Sequence, residues 1–167
     1  KILSTILFSM IFALSVNCQT NENKAKSCKF LTVADAEKIL GASVELVGSE
    51  QSDSTDKNRY ECTYRRIEKD KTSGREVALY FMIIESPTNE KAKQLYDEIW
   101  NSNKDHQGIE VLNGIGDEAY SHSDKPNFHF VMVRKGNSTI RMKVNKAVET
   151  TSFDELKAIA KRVVAEI

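Results

Sequence analysis

Strand-like runs joined by links too short for a crossover are what most constrain this chain. RYECTYRRI (59–67) and REVALYFMIIE (75–85) are separated only by Glu68–Gly74, where Thr-Ser-Gly supplies a turn. In the first run Tyr60, Cys62 and Tyr64 fall on one face and Glu61, Thr63 and Arg65 on the other, the period of two of a half-buried strand. The second run alternates less and reads as a central strand buried on both sides. Asn127–Arg134 and Ser138–Asn145 form a hairpin across Lys135-Gly136-Asn137, and extended runs lie at Ile109–Leu112 and Glu118–His122. Ahead of them all, Ala42–Gly48 places Val44 and Leu46 on one face, and the polar stretch Ser49–Asn58 reads as a loop. Parallel neighbours need a connection of a dozen residues or more, so consecutive strands spaced this closely imply an antiparallel sheet.

Helical signals interrupt the strands in three places. Thr32 with Asp35 three positions on caps a helix over 33–40 that Gly41 stops. Ser86-Pro87 opens a second helix, about 88–101, in which Ala92, Leu95, Tyr96, Ile99 and Trp100 recur at helical spacing. Ser152 and Glu155 form a capping box ahead of a C-terminal helix whose Leu156, Ile159, Ala160, Val163 and Val164 line one face. The order is helix, three strands, helix, four strands, helix. It specifies an α+β fold with a mainly antiparallel sheet of six to seven strands and three helices packed on it.

The N-terminal segment is of a different kind. After Lys1, residues Ile2–Val16 carry no charge and are rich in Ile, Leu, Phe, Met and Val. At about 1.5 Å per residue they would span roughly 22 Å as a helix, short of the ~30 Å hydrocarbon core, which fits a cleaved signal better than a permanent anchor. Leu14-Ser15-Val16-Asn17-Cys18 resembles a lipobox, the motif that presents a cysteine for diacylglycerol transfer. It departs from the usual pattern in placing Leu four positions before the cysteine and Asn directly before it. An ordinary secretory signal cut after Ser15 is the competing reading.

Cysteine arithmetic favours the lipobox. The chain has three cysteines, and an odd thiol is a liability in an oxidising compartment. Lipidation of Cys18 removes one and leaves Cys28 and Cys62 to pair, the alternatives being two reduced core thiols or, with no CxxC or Cys/His cluster to support it, a zinc site. Residues 1–17 are then a lipoprotein signal peptide, 18–27 a polar tether, and 28–167 one α+β domain. With the tether's nine residues from Gln19 to Ser27, random-coil scaling holds the domain roughly 15–20 Å from the membrane. A di- or triacylated Cys18 would be a stable attachment, since a single acyl chain gives only marginal binding.

Twenty-four Lys and Arg against 24 Asp and Glu leave no basic face to announce nucleic acid. Gly114-Ile115-Gly116-Asp117-Glu118-Ala119 spells GxGxxA, yet the residues after it look extended, whereas dinucleotide binding needs the motif to open a helix. His122 and His129 flank a turn with Asp124 nearby, an acid–base or metal candidate that needs all three to converge, although the Phe128-His129-Phe130 alternation turns His129 away from the two rings. His106 sits in a polar loop, and no serine, cysteine or lysine stands in a nucleophile elbow. Tyr60, Tyr64, Tyr80, Phe128 and Phe130 come from strands that could be neighbours. They read either as core and cross-strand pairs or as an aromatic face that holds a ligand.

Three motifs together carry a resemblance: the capped helix Leu31–Gly41 after Cys28, the C-x-Y of Cys62–Tyr64, and the G-x-G-D-x-A-Y of Gly114–Tyr120. In this layout the chain resembles a group of small bacterial envelope lipoproteins of unknown function. That group is similar in outline to extracellular sensor domains of bacterial Ser/Thr kinases and, at fold level, to PsbP-like α/β/α sandwiches. The resemblance implies a fold for residues 28–167 and no catalytic residue or cofactor. The expectation is a non-enzymatic lipoprotein of the bacterial cell envelope, held to a membrane through Cys18 and binding a small ligand or another envelope protein. An envelope enzyme or metal protein using His122, His129 and Asp124 is the alternative.

Overall fold

Each helix begins where a side chain takes over an orphan backbone donor. In the computed structural model, which describes residues 26–167, Thr32 Oγ1 accepts the Asp35 N–H (3.2 Å) and the Asp35 carboxylate accepts the Thr32 N–H (2.9 Å). This reciprocal box starts α1 (Val33–Leu40). Gly41 ends it in the left-handed region at φ 66°, returning its N–H to the Glu37 carbonyl. No other residue fits there, because a Cβ on Gly41 would lie 2.0 Å from the Thr150 carbonyl oxygen. The apolar run 2–16, Cys18 and most of the tether lie outside the described residues.

Seven strands form one sheet: β1 (Val44–Asp53), β2 (Asn58–Arg66), β3 (Ala78–Glu85), β4 (Ile109–Val111), β5 (Glu118–Asp124), β6 (Phe128–Lys135) and β7 (Ser138–Val144). Their spatial order is β1-β2-β3-β7-β6-β5-β4, with every pair antiparallel. Two more helices complete the fold, α2 (Asn89–Asn103) and α3 (Phe153–Glu166), and a short 3-10 turn (Lys26–Lys29) precedes α1. The α+β architecture expected from the sequence is the one observed.

Two boundaries and one burial pattern differ from expectation. The stretch after Gly48, expected as a loop, continues β1 to Asp53, because Ser49 through Asp53 pair residue by residue with Cys62 back to Asn58. No apolar alternation marks it, since the end of an edge strand meets water on both faces. The second helix starts from Thr88, whose Oγ1 accepts the Lys91 N–H. Ser86 instead extends the β3–β7 pairing, its N–H bonding the Asn137 carbonyl and its own carbonyl accepting the Asn137 side-chain amide. Finally, β3 is central but is not buried on both sides: Leu79, Phe81 and Ile83 are buried whereas Tyr80 is 45% exposed.

That exposure follows from how the helices cover the sheet. One face carries Tyr60, Cys62, Tyr64, Leu79, Phe81, Ile83, Ile140, Met142 and Val144, and it is buried under α1, α3 and the 3-10 turn. Here α3 contributes Leu156, Ile159, Ala160, Val163 and Val164, the stripe expected of it. Arg162 of α3 reaches Asp35 at the cap of α1 (2.7 Å), which ties the two helices together. Cys28 and Cys62 are joined by a disulfide with Cα atoms 5.7 Å apart, and the Tyr64 hydroxyl donates to the Leu31 carbonyl. Both contacts pin the N-terminal end of the described segment to the middle of β2.

The other face is covered only in part. Helix α2 lays Tyr96, Ile99 and Trp100 over Tyr120 and Met132, a second and smaller apolar cluster. It packs on β5, β6 and β7. The same face of β3 is less covered, with Tyr80 45% exposed, although Ile84 toward its end is buried.

Candidate functional site

The face of the sheet that α2 covers in part is the surface on which residues with chemistry gather. The register sets its contents. Moving across the strands, one row reads Glu61–Met82–Arg141–Met132–Tyr120, and the next reads Thr63–Tyr80–Lys143–Phe130–His122. Side chains alternate along a strand, so Thr139, Arg141 and Lys143 of β7 all stand on this face while Ile140, Met142 and Val144 enter the core.

Most arginines of the chain other than Arg141 are ion-paired. Arg59 pairs with Glu61, Arg65 with Glu45, Arg134 with Asp117 and Glu118, and Arg162 with Asp35 and Glu166. Arg66 donates to Thr150 through Nη1, while its Nε is also enclosed without a partner among the described residues. Arg141 is half-buried beside α2, and its Nε is enclosed with no hydrogen-bond partner among the described residues. Burial presses its pKa down, against an opposing effect of the nearby Tyr120 and with a smaller push from the positive charge of Arg59. Two hydroxyls on the same face are also enclosed and unpartnered: Thr139 Oγ1, on a residue with 0% exposure, and the Tyr120 hydroxyl. Burial raises the Tyr120 pKa to about 12, so the phenol stays protonated and remains a donor at neutral pH. Lys143 is exposed, its Nζ 5.4 Å from the centre of the Phe128 ring.

The five aromatic residues, read either as core and cross-strand pairs or as one ligand-holding face, are divided between the two faces of the sheet. Tyr60 and Tyr64 point into the core under α1, at 7% and 2% exposure, while Tyr80, Phe128 and Phe130 stand on the α2 side. The physical reason is parity. Tyr60 and Tyr64 pair with Ile83 and Leu79, whereas Tyr80 pairs with Thr63 and Lys143. Tyr80 is the exposed member, and Phe130 abuts Tyr120 at a centroid separation of 5.8 Å.

The histidines do not converge either. His122 packs edge-on to Phe128 (4.8 Å) and beside His106 (5.8 Å) on the α2 side. His129 is on the opposite face, stacked on Phe153 (4.7 Å) with Nδ1 2.9 Å from Ser123 Oγ. Burial lowers its pKa, with a further push from Lys125. Asp124 is exposed and accepts from the Asn127 amide. The sheet therefore separates the members of the proposed acid–base or metal set. No group of three or more His, Cys, Asp and Glu able to hold a metal ion occurs among the described residues.

The GxGxxA motif is a turn that leads into β5 and opens no helix. The Asp117 carboxylate accepts the Gly136 N–H and pairs with Arg134, and a Cβ on Gly116 would lie 2.5 Å from the Arg134 carbonyl oxygen. The motif thus fastens the β4–β5 connection to the β6–β7 turn, and it lines a groove of about 440 Å³ beside Lys93, Tyr96 and Trp100 of α2. A second groove, about 700 Å³, lies at the sheet end among Arg66, Asp70, Pro126 and Val148. Its acidic and basic residues balance, and it contains none of the residues singled out in the sequence.

Arg141 and Lys143 drew no attention in the sequence, although a signal was there. In S-T-I-R-M-K-V the cations alternate with Ile140, Met142 and Val144, the alternation of a strand with one face in the core and the other carrying charge.

No family model matches the sequence, and no curated protein does. Among solved structures, the extracellular domain of PknH from Mycobacterium tuberculosis is similar, with a TM-score of 0.55 at 10% sequence identity, over 83% of this chain and 92% of that one. The likeness to extracellular sensor domains of bacterial Ser/Thr kinases, expected from the sequence, therefore holds at the level of fold. At this identity it transfers no site residue.

Proposed function

We propose that the protein is a lipid-anchored lipoprotein of the bacterial cell envelope, tethered through acyl chains such as palmitate on Cys18. Its folded part binds a small ligand or another envelope protein on the α2 side of the sheet and performs no catalysis. The observation that carries the binding role is an exposed Tyr80, cross-strand from Lys143, close to Arg141, a half-buried cation without a carboxylate partner among the described residues, on a sheet face that α2 covers only in part. A protein that only spaced its neighbours would gain nothing from such a charge, because buried charges are ordinarily paired. The anchor is supported by the apolar run before Cys18 and by the disulfide between the other two cysteines, which leaves Cys18 as the odd thiol. The envelope location gains support from the fold shared with a domain described as extracellular.

Metabolic labelling with an alkyne fatty acid tests the anchor. Label is expected on the wild-type chain and not on Cys18→Ala, which should leave the membrane fraction. Equal labelling of both forms would overturn the lipoprotein reading.

A further inference from the structure

The two faces of the sheet are sealed unequally. Helix α3 buries five of its 14 residues, whereas α2 buries Ala92 and Tyr96 out of 15. The apolar cluster beneath α2 has three buried members, Tyr96, Tyr120 and Met132, with Ile99 and Trp100 partly buried against them. A helix in a protein is held chiefly by the packing of its apolar face, so α2 sits on the sheet more weakly than α3 does.

What lies under α2 opposes its closure further. Four enclosed side-chain atoms among the described residues have no hydrogen-bond partner. One of them, Arg66 Nε, is at the sheet end beside Thr150. The other three, Arg141 Nε, Thr139 Oγ1 and the Tyr120 hydroxyl, belong to β5 and β7, strands on which α2 packs. A polar group enclosed without a partner forfeits the hydrogen bonds it made with water. Each of the three therefore favours a state in which α2 has lifted and water returns.

The chain around α2 is fixed at two points. Ahead of the helix, the Ser86 N–H bonds the Asn137 carbonyl, and the Ser86 carbonyl accepts the Asn137 side-chain amide (2.9 Å each). Behind it, the Ser123 N–H bonds the Gly108 carbonyl (3.0 Å). Between those points, the polar ties to the sheet among the described residues are the Lys93–Glu118 ion pair (3.3 Å) and the ring contact of His106 with His122 (5.8 Å). The ion pair joins partly exposed side chains, and such pairs contribute little.

We infer that α2 is a lid. Residues 88–107 lift from the sheet as a unit while the sheet, α1 and α3 stay folded, and the lifted state adds Arg141, Thr139 and Tyr120 to a face from which the closed state withholds them. The balance between the two states sets how much of that face is accessible. The lid goes beyond the binding role and does not depend on it, because the helix lifts in the ligand-free protein.

Hydrogen exchange read by mass spectrometry, on the full chain in mild detergent, tests the lid. The slowest amides of α3 report unfolding of the whole domain. Peptides from 89–103 should be about tenfold less protected, or more, with a weaker response to urea, since a local opening exposes less surface. Ile83→Val thins the core on the opposite face. It should lower the protection of α3 several-fold and leave that of α2 unchanged, because this packing persists when the lid is up. Tyr120→Phe and Thr139→Val delete enclosed hydroxyls and keep the shape. Each should raise the protection of α2 by about threefold or more, as much as it raises that of α3, because the hydroxyl is released to water in both openings.

Protection of α2 equal to that of α3, or falling with it in Ile83→Val, would overturn the lid, since the helix would then open only with the whole domain. A rise confined to α3 in Tyr120→Phe and Thr139→Val, or no rise in either helix, would overturn it as well, because the hydroxyls would not be what lifting uncovers. Neither failure touches the binding role, which is measured with a ligand or partner present.

Discussion

Removing the Cys28–Cys62 disulfide should cost this fold more than any single side-chain deletion on its surface. The two cysteines are 34 residues apart in the chain, and the loop-entropy relation for that separation gives about 3.8 kcal/mol at 25 °C. Total stabilities of ordinary domains are about 5–15 kcal/mol, so the staple accounts for a quarter or more of what holds the chain folded. The structure also says where the loss appears first. The disulfide and the Tyr64 hydroxyl are what fasten the segment before α1 to β2, and Leu31, at 0% exposure, is the apolar residue between them. The double variant Cys28→Ala/Cys62→Ala of residues 26–167 is compared with wild type by urea unfolding followed through Trp100. With a slope of about 2 kcal/mol per molar urea, the midpoint should fall by about 2 M. Wild type treated with a reductant should fall to the same midpoint. A loss below about 1 kcal/mol would refute the reasoning, because it would mean that the unfolded chain is not restricted by the cross-link or that the native state gains nothing from it.

Gly41→Ala should destabilise by about 3 kcal/mol, combining a left-handed backbone with a Cβ that forces the Thr150 carbonyl aside, and thermal unfolding checks it. His129 makes stability depend on pH. Its native pKa lies below the ordinary 6.5, so as pH falls through 6.5 the unfolded chain takes up a proton before the native one does. Its contribution is therefore complete above that value and declines below it, until the native pKa is passed. The drop in melting temperature between pH 7.5 and pH 5.5 should shrink in His129→Gln, and an unchanged drop would remove His129 as the cause. Asp35 behaves likewise at lower pH. Burial alone would raise its pKa, but the Thr32 hydrogen bonds and Arg162 hold it below the usual 3.8, so stability is lost as pH falls through that value. In Arg162→Ala, acid unfolding monitored by circular dichroism should begin at higher pH.

What could be read from the sequence was whatever depends on a repeat or on a cap. The strands β2, β6 and β7 and the helix α3 announce themselves by alternation or by a stripe, and Thr32 and Ser152 mark helix starts because their hydroxyls do the capping found in the structure. The end of β1 escaped because Ser49–Asp53 gains its extended form from the ladder with β2, a contact between segments, and not from its own side chains. The aromatic set escaped for a related reason. Residue parity is visible within each strand, but which parities share a face depends on register across strands, and one step divides Tyr60 and Tyr64 from Tyr80. Arg141 could not be recognised as unpaired in advance, since the lack of a partner is a property of the assembled face. His122 and His129 were separated by the same cause: the register that sets Asp124 opposite Phe128 across a three-residue turn puts them on opposite sides.

The central claim is that the α2 side of the sheet is where this protein meets its ligand or partner. The most direct measurement replaces Tyr80 by the photoreactive p-benzoylphenylalanine in living cells, with the same replacement at Val33, an exposed apolar residue at the start of α1, as the control. After irradiation and purification, intact-mass analysis should find an adduct of discrete mass on the Tyr80 variant and none on the Val33 variant. Adding Arg141→Gln should reduce the yield several-fold. Adducts of equal yield at both positions, or none at Tyr80, would contradict the account.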